Sequence, residues 1–230
     1  MDFKDKGLEA WEDNAKFWDD YMGDESNFFH RDMVRPSVEK FLDLTEGDYV
    51  LDIACGNGNF SSYMAKIGVK VTAFDYSPKM IELAKKRRSD VLDKVDFRVC
   101  DATNKEELMK LQIPQGYTKA VSNMAIMDIS KIKPLFESVA SMLRCGGSFV
   151  FAMHHPGFTY PNEDYFTSCI DKGVAVEGQP SLQNYYHRTL SEVFGQCFSA
   201  GFTMDKFEEV PFEGEKTPII MIIRLKKCNI

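Results

Sequence analysis

The chain lacks long apolar runs, paired cysteines and an excess of positive charge. Its longest apolar stretch, near Pro218 to Ile223, is far too short to span a bilayer. The six cysteines are scattered without a Cys-x-x-Cys pair and no signal peptide is recognisable, so we expect reduced thiols in a cytoplasmic protein. A formal net charge of -7 argues against nucleic acid as the main partner, because phosphate binding needs a basic surface. These absences argue against a membrane-spanning protein, a disulfide-rich protein and an enzyme that methylates RNA or DNA.

What is present is the composition of an ordinary globular protein, with 44% hydrophobic and 27% charged residues. A length of 230 residues fits a single α/β domain. The rest of the chain is organised around the stretch between Tyr49 and Asp75. This stretch contains, in order, an apolar strand, a loop with two glycines, a short amphipathic helix and a second apolar strand. Such a βαβ unit predicts a nucleotide site.

The glycine loop differs from a dinucleotide-binding fingerprint, in which glycines occupy the first, third and sixth positions. The corresponding residues are Gly56, Gly58 and Ser61, so the third glycine is missing. Asp52 ends the first strand, where its carboxylate would repel a pyrophosphate but favour a ligand with an ammonium group. The loop therefore predicts a cationic ligand.

The segment from Asp52 to Gly58, Asp-Ile-Ala-Cys-Gly-Asn-Gly, resembles the first motif of the class I S-adenosylmethionine-dependent methyltransferases. The family usually has glycine at the position of Ala54, a departure that slightly tightens the loop. The resemblance implies S-adenosyl-L-methionine as cofactor, with S-adenosyl-L-homocysteine as product. It also implies a Rossmann-like three-layer α/β sandwich over roughly residues 36–230, with helices on both faces of a mostly parallel, seven-stranded sheet that ends in an antiparallel hairpin. The group includes the ubiquinone-biosynthesis enzymes.

The resemblance further implies roles for acids at strand ends. Asp75 matches the acid that binds the ribose hydroxyls, although NAD proteins have an acid there too. Asp101 matches the acid that binds the adenine amine, beside the backbone amide of Ala102. A competing role for Asp101 is to cap the helical segment from Asn104 to Leu111.

Residues around these motifs complete the predicted cofactor site. Asn123 and Met124 follow the fourth strand, beside the topological switch point where ligands bind in open α/β sheets, although methionines are more often core filler. The predicted set from the strand ends and loops is Asp52, Ala54, Cys55, Gly56, Gly58, Asp75, Tyr76, Met80, Asp101, Ala102, Asn123 and Met124.

Residues 1–45 precede the sheet and contain an apolar stripe at helical spacing. The helix could simply pack on the sheet, or it could be a lid over the cofactor, as its many aromatic residues suggest. We assign Trp18 to the cofactor and Arg31 to the carboxylate end of its methionine moiety; the alternative for Arg31 is a surface charge. The stripe consists of Leu8, Trp11, Ala15, Trp18 and Met22.

Residues 154–187 form a long insertion after the predicted fifth strand, Ser148 to Met153. Loops of this length are usually functional or disordered, and the many aromatic residues here oppose disorder. We therefore predict an irregular lid over the acceptor substrate.

Three histidines in this insertion are candidate bases, since methyl transfer needs a base only when the acceptor has a proton to lose. Adjacent residues on an extended backbone point to opposite sides, so at most one of His154 and His155 faces the cleft, and the pair is not a metal site. We favour His154 as the catalytic base, then His187, with His155, Tyr160 and Tyr186 as substrate contacts. A packed or solvent-exposed histidine is the alternative for each.

Local signals also define the remaining elements. Thr189 to Glu192 is a capping box that begins a helix, and Met204 to Val210 and Ile219 to Leu225 predict an antiparallel strand pair. A helix from about Pro134 to Leu143 should end at a glycine cap in the following Arg-Cys-Gly-Gly segment.

The sequence thus predicts an S-adenosylmethionine-dependent methyltransferase that acts on a small apolar or aromatic molecule. Oxygen is favoured as the acceptor atom, because histidine suits deprotonation of a hydroxyl. An NAD-linked oxidoreductase is disfavoured by Asp52 and Ser61. A non-catalytic S-adenosylmethionine-binding module stays open, since binding and chemistry use different residues. The sequence identifies neither the acceptor nor the oligomeric state.

Overall fold

The computed structural model describes residues 3–158, 164–212, 214 and 216–228, with side chains from residue 7 onward. Its strands are β1 (Tyr49–Ile53), β2 (Lys70–Asp75), β3 (Val95–Val99), β4 (Tyr117–Asn123), β5 (Leu143–His154), β6 (Ile170–Gly173), β7 (Gln183–Tyr186), β8 (Phe202–Pro211) and β9 (Pro218–Lys227). Its α-helices are α1 (Phe3–Met22), α2 (Arg35–Leu42), α3 (Asn59–Lys66), α4 (Pro78–Arg87), α5 (Lys105–Met109), α6 (Lys133–Met142) and α7 (Leu190–Ser199). A π-helical turn precedes α2 (Phe29–Val34), and a 3-10 turn follows β4 (Ile126–Asp128).

Seven strands form one mixed sheet in the order β3-β2-β1-β4-β5-β9-β8. The first five run parallel, whereas β9 is antiparallel to both of its neighbours. The chain steps outward from β1 to β3 and then returns to β4, so the carboxyl ends of β1 and β4 flank the topological switch point. The predicted fold, a seven-stranded sheet with a C-terminal antiparallel hairpin and helices on both faces, is confirmed.

The core of the sheet is apolar and aromatic. Val50, Leu51 and Ile53 of β1 are completely buried, as expected for a central parallel strand covered on both faces. Phe149 and Phe151 of β5 pack with their ring centroids 5.4 Å apart. This rigid centre positions the loops that follow each strand.

Side-chain caps begin two of the helices, and the one at α7 was predicted from the sequence. The Ser77 hydroxyl accepts a hydrogen bond from Met80 N at the start of α4. At α7, both halves of the Thr189 and Glu192 capping box are formed. These caps satisfy amides that otherwise lack partners in the first helical turn.

The predicted glycine cap after α6 is wrong. Helix α6 ends at Met142, and Leu143 is already extended at φ -70° and ψ 140°. Gly147 serves strand pairing instead, because a Cβ there would lie 2.9 Å from Arg144 O and 3.1 Å from Thr118 O. Gly147 therefore allows β5 and β4 to approach closely where their register is irregular.

The insertion after β5 is more regular than the sequence predicted, because β6 and β7 pair as a separate antiparallel hairpin. This hairpin is bonded to α1: Asn14 Nδ2 donates to Ser181 O at 2.8 Å, and Ser181 N donates to Asn14 Oδ1 at 2.8 Å. On its other side, α1 is bonded to α4, since Arg87 forms a bidentate ion pair with Asp19 at 2.6 and 2.9 Å. Helix α1 thus connects the insertion to α4, although these elements are distant in sequence.

Among the described residues, no helix has the length and apolar character needed to cross a membrane.

Candidate cofactor and acceptor site

A cavity of about 870 Å³ lies at the carboxyl ends of β1 to β5, under α1 and the insertion. Every predicted cofactor residue lines it except Gly58 and Arg31. Of the predicted catalytic and substrate residues, His154, His187 and Tyr186 line it, His155 does not, and Tyr160 lies outside the described residues. The strand-end residues are therefore brought together as expected from a parallel sheet.

Asp52 is a buried carboxyl group at the end of β1. Ser61, in α3, donates a hydrogen bond to its Oδ2. Burial raises the pKa of Asp52 to about 7, the Ser61 hydrogen bond opposes the shift, Asp75 adds to it and Arg35 opposes it. A cation placed beside Asp52 would favour its ionised form.

Asp75, at the end of β2, is held by backbone amides. Gly56 N donates to its Oδ2 at 2.9 Å, and Ser77 N donates to its Oδ1 at 3.0 Å. Burial raises the pKa of Asp75, while the amide hydrogen bonds counteract the rise. The carboxylate is thus oriented at the cavity wall by the glycine loop and by the start of α4.

Asp101 follows β3, and its Oδ1 accepts from both the amide and the hydroxyl of Thr103 at 2.8 Å. The competing capping role belongs to another residue, because Asn104 Oδ1 accepts from Glu106 N and Glu107 N at the start of α5. Asp101 therefore forms a local turn that orients its carboxylate toward the cavity.

The glycine loop has an unusual backbone. Ala54 adopts a φ of 54° and Met124, across the switch point, a φ of 59°. Left-handed conformations cost non-glycine residues about 1–2 kcal/mol, and strain of this kind clusters at functional sites. Gly58 is corrected to a packing role, since it does not line the cavity and a Cβ there would lie 2.6 Å from the Phe97 ring.

Several buried polar atoms that line the cavity have no hydrogen-bond partner among the described residues. Buried polar groups are normally paired, so a cluster of such atoms around one cavity indicates a site for a polar ligand. The atoms are Trp18 Nε1, Arg35 Nε, Asn59 Nδ2, Asn123 Oδ1 and Asp128 Oδ1.

The assignment of Arg31 is corrected by its position. Its guanidinium is exposed and pairs with Asp32 at 2.7 Å, so the alternative of a surface charge fits. Arg35 lines the cavity instead, donating to Asn59 Oδ1 at 2.6 Å and lying 5.5 Å from the Phe60 ring centroid. Sequence spacing alone did not distinguish the two arginines.

The adjacent histidines point to opposite sides of β5. His154 faces the cavity, where burial lowers its pKa and keeps the imidazole neutral near pH 7. His155 faces away: its Nδ1 accepts from Gly157 N at 3.0 Å and its Nε2 lies 3.0 Å from Glu209 Oε1. The assignment of His155 to the substrate is therefore corrected.

His187 lines the cavity, but its Nε2 is bonded to Tyr165 O at 2.8 Å. Because a carbonyl oxygen only accepts, that nitrogen carries the proton and cannot act as a base. Tyr186 lines the cavity beside it. This leaves His154 as the better placed candidate of the two.

Several residues that line the cavity were not assigned from the sequence, among them Asp128, Tyr185 and Arg188. Asp128 follows β4, and the same strand-end rule that found Asp75 and Asp101 could have found it. Spacing gave no signal for Tyr185 and Arg188. His30, which precedes Arg31, also lines the cavity, and burial lowers its pKa to about 4, with Arg35 and His154 adding to the shift. In the described part of the chain, no group of three or more His, Cys, Asp or Glu side chains is arranged to hold a metal ion.

Comparisons with known proteins agree with this architecture. A family model described as "Methyltransferase domain" matches residues 44–192. A ubiquinone biosynthesis O-methyltransferase from Xanthomonas campestris is 32% identical over 44% of this chain and 41% of its own length. Phosphoethanolamine N-methyltransferase 1 from Zea mays is 31% identical over 75% of this chain and 35% of its own length. The chain therefore spans less than half the length of these two relatives.

Solved structures share the fold at low sequence identity. Magnesium protoporphyrin IX methyltransferase from Synechocystis, solved with bound S-adenosylhomocysteine, has a TM-score of 0.66 at 15% identity and covers 99% of this chain and 100% of its own. Such a likeness shows the fold. With the family model covering well over half of the sequence, the chain belongs to the methyltransferase-domain family, as its resemblance to the S-adenosylmethionine-dependent enzymes predicted.

Proposed function

We propose that this chain is an S-adenosylmethionine-dependent methyltransferase that methylates an oxygen atom of a small, partly apolar or aromatic acceptor. One observation carries the proposal: the acids at the ends of β1, β2 and β3 meet in one cavity with a neutral imidazole, that of His154, at the end of β5. The acids suit a cationic nucleoside, and the imidazole suits a hydroxyl that must lose its proton.

The residues of the cavity fit the cofactor. Asp52 would hold its ammonium group, Asp75 its ribose hydroxyls, and Asp101 with the Ala102 amide its adenine. Arg35, whose Nε has no partner among the described residues, would hold its carboxylate. When bound, the cofactor supplies a methyl group activated by sulfonium.

The protein's own contribution is alignment and proton removal. Residues of α1 and of the insertion line the cavity, and we infer that residues 1–45 and 154–187 act as lids. Neutral His154 accepts the proton of the acceptor hydroxyl. Tyr185, with its ring centroid 6.0 Å from that of His154, borders the same space. A cytoplasmic location and the absence of a nucleic-acid partner stay predictions.

Calorimetric titration tests the cofactor assignment. Wild-type protein should bind S-adenosylhomocysteine with micromolar affinity and should not bind NADH. Asp75→Ala should lose the binding, because the ribose loses its carboxylate. Asp96→Ala is a matched control, since Asp96 is an exposed acid that pairs with Arg98 on β3.

The outcomes separate the alternatives. Binding of NADH in place of S-adenosylhomocysteine would favour the oxidoreductase. Binding of S-adenosylhomocysteine without methyl transfer to any hydroxyl or amine acceptor would favour a non-catalytic module. Transfer to amines but not to hydroxyls would reject oxygen as the acceptor atom, in line with the N-methyltransferase among the relatives.

A further inference from the structure

Arg188 is a cation of the cavity lining that no proposed cofactor contact uses. It lies between β7 and α7 and is partly buried. Burial lowers the pKa of its guanidinium, but an arginine keeps its charge in a protein. Among the described residues, no carboxylate forms an ion pair with it, and Glu192 attracts it without a contact. Withdrawing a charge from water without a counter-ion is costly, so this side chain indicates an anionic ligand.

Main-chain carbonyls fix the guanidinium without neutralising it. Nη2 of Arg188 donates to Ile129 O at 2.6 Å and to Ser130 O at 2.9 Å, and Nη1 donates to Tyr186 O at 3.4 Å. The guanidinium also lies over the Tyr186 ring, 5.6 Å from its centroid. These bonds occupy three of the five N–H groups of an arginine, so Nε–H and one Nη1–H have no partner among the described residues. The side chain is therefore held in place with donors left for a ligand.

The acids near Arg188 leave its charge available. Burial raises the pKa of Asp128 well above its usual range, so that carboxyl group is neutral and does not repel an anion. Glu192 is occupied at its own capping box, where its Oε2 accepts from Thr189 N at 2.7 Å. Asp171 lines the cavity from β6 but is exposed, so water and salt screen its charge.

The contacts of Arg188 place it on the acceptor side of the cavity. Arg35, the other arginine of the described lining, is bonded to Asn59 directly after the glycine loop and is assigned to the cofactor carboxylate. The carbonyls that hold Arg188 follow β4, which pairs with β5, the strand that ends at His154. The described lining contains no lysine. Arg188 is therefore the cation left for an acceptor, and a single cation matches a carboxylate better than a phosphate dianion.

We propose that Arg188 binds a carboxylate of the acceptor, which makes the preferred acceptor a small aromatic hydroxy acid with its hydroxyl group at His154. The proposal rests on the proposed function, since it assumes that the rest of the cavity holds S-adenosylmethionine and that His154 accepts the proton. The aromatic part of the acceptor would lie beside Tyr185 and Tyr186, which line the same cavity. Arg188 is thus a specificity residue for the acceptor and not a cofactor contact.

Phenols that differ in the charge of one end test the proposal. They are 4-hydroxyphenylacetate (anionic), tyrosol (neutral) and tyramine (cationic), with 4-hydroxyphenyl phosphate as a dianion, each titrated calorimetrically into protein saturated with S-adenosylhomocysteine. Wild-type protein should bind 4-hydroxyphenylacetate at least about tenfold more tightly than tyrosol or tyramine, because the carboxylate meets an unneutralised guanidinium.

Two variants of Arg188 separate charge from structure. Arg188→Gln keeps a donor for the main-chain carbonyls but removes the charge, so the preference for the anion should fall to about twofold or less with S-adenosylhomocysteine affinity unchanged. Arg188→Lys keeps a cation and should retain a preference of at least about threefold. Arg144→Gln is the matched control, because Arg144 is exposed on β5 and does not line the cavity, so the preference should change by less than about twofold.

Equal binding of 4-hydroxyphenylacetate and tyrosol by wild-type protein, binding of neither, or an unchanged preference in Arg188→Gln would overturn the proposal. So would a preference below about twofold in Arg188→Lys, because the charge would then not be what selects the acceptor. Tighter binding of 4-hydroxyphenyl phosphate than of 4-hydroxyphenylacetate would reject a carboxylate as the group that is bound. Weakened S-adenosylhomocysteine binding in Arg188→Gln would assign Arg188 to the cofactor. Failure of wild-type protein to bind S-adenosylhomocysteine refutes the proposed function itself, whereas failure confined to the phenols refutes only the role of Arg188.

Discussion

Replacing Asp52 by asparagine should make the unliganded protein more stable at alkaline pH and the cofactor site weaker. The asparagine would keep the shape of the side chain and a hydrogen bond with Ser61, but it cannot ionise. In the native protein, by contrast, Asp52 must become a buried anion as the pH rises above about 7. The substitution therefore removes a buried negative charge that destabilises the unliganded fold and that only the ammonium group of the ligand would stabilise.

The pKa values set the size and sign of the effect. With a pKa of about 7 in the native state against 3.8 in the unfolded chain, native Asp52 retains its proton over a range in which the unfolded chain releases it. Stability is therefore lost as the pH rises from about 4 to about 7 and stays reduced above that, to a limit of about 4 kcal/mol. Between pH 5 and pH 8 the advantage of Asp52→Asn should grow by about 3 kcal/mol, or about 6 to 12 °C in Tm.

Two measurements on the same pair of proteins check this. Thermal unfolding at pH 5 and pH 8, without ligand, gives the change in the Tm difference. Calorimetric titration of S-adenosylhomocysteine near pH 7, in buffers of different ionisation enthalpy, gives the protons released. Wild-type protein should release about half a proton as Asp52 ionises beside the ligand ammonium, and Asp52→Asn should release none and bind more weakly.

The reasoning would be refuted by a Tm difference that is the same at both pH values, because Asp52 would then titrate normally in the fold. Equal proton release by the two proteins would show that another group ionises on binding. Tighter binding by Asp52→Asn would contradict the ammonium contact.

Gly58→Ala should lower the free energy of unfolding by about 2 to 4 kcal/mol, measured by urea denaturation, because φ is 71° and the new Cβ would lie 2.6 Å from the Phe97 ring. His154→Gln should reduce methyl transfer to a hydroxyl acceptor by about a hundredfold or more with S-adenosylhomocysteine affinity unchanged. Because burial lowers the pKa of His154, wild-type turnover should persist below pH 6.5. Asn14→Ala removes both hydrogen bonds to Ser181 and should speed S-adenosylhomocysteine release about fivefold in stopped-flow fluorescence.

Matched variants separate these effects from general damage. A Cβ at Gly7 meets nothing within 4 Å, so Gly7→Ala should not destabilise the protein. His155→Gln alters the opposite side of β5 and should leave turnover nearly intact; an equal loss in both histidine variants would reject His154 as the base. Asp20→Ala changes an exposed position of α1 and should not alter release.

Features set by neighbouring residues were predictable from sequence. The bounds of β1 follow from a short apolar, β-branched run, and the starts of α4 and α7 follow from side chains that bond to nearby amides. Asp52, Asp75 and Asp101 could be placed together because parallel strands bring their carboxyl ends to one edge. Local sequence and sheet topology sufficed there.

Features that depend on distant partners were not predictable. β6 and β7 are mostly polar, without the alternation that marks a strand, and they form because they pair with each other. Arg31 and Arg35 differ through their surroundings: Asp32 holds one at the surface, and the Phe60 ring lies beside the other. Asp128 and Gln183 line the same cavity from distant parts of the chain, and no spacing rule connects them.

The place of β9 in the sheet has a consequence for synthesis on the ribosome. β9 lies between β5 and β8, so neither of these strands has its antiparallel partner until residues 218–227 have been translated. During elongation the fully buried edge of β5, with Phe149 and Phe151, remains open to pairing with other chains. A nascent chain arrested before Pro218 should therefore associate with holding chaperones, and a chain in which β9 has been inserted should not.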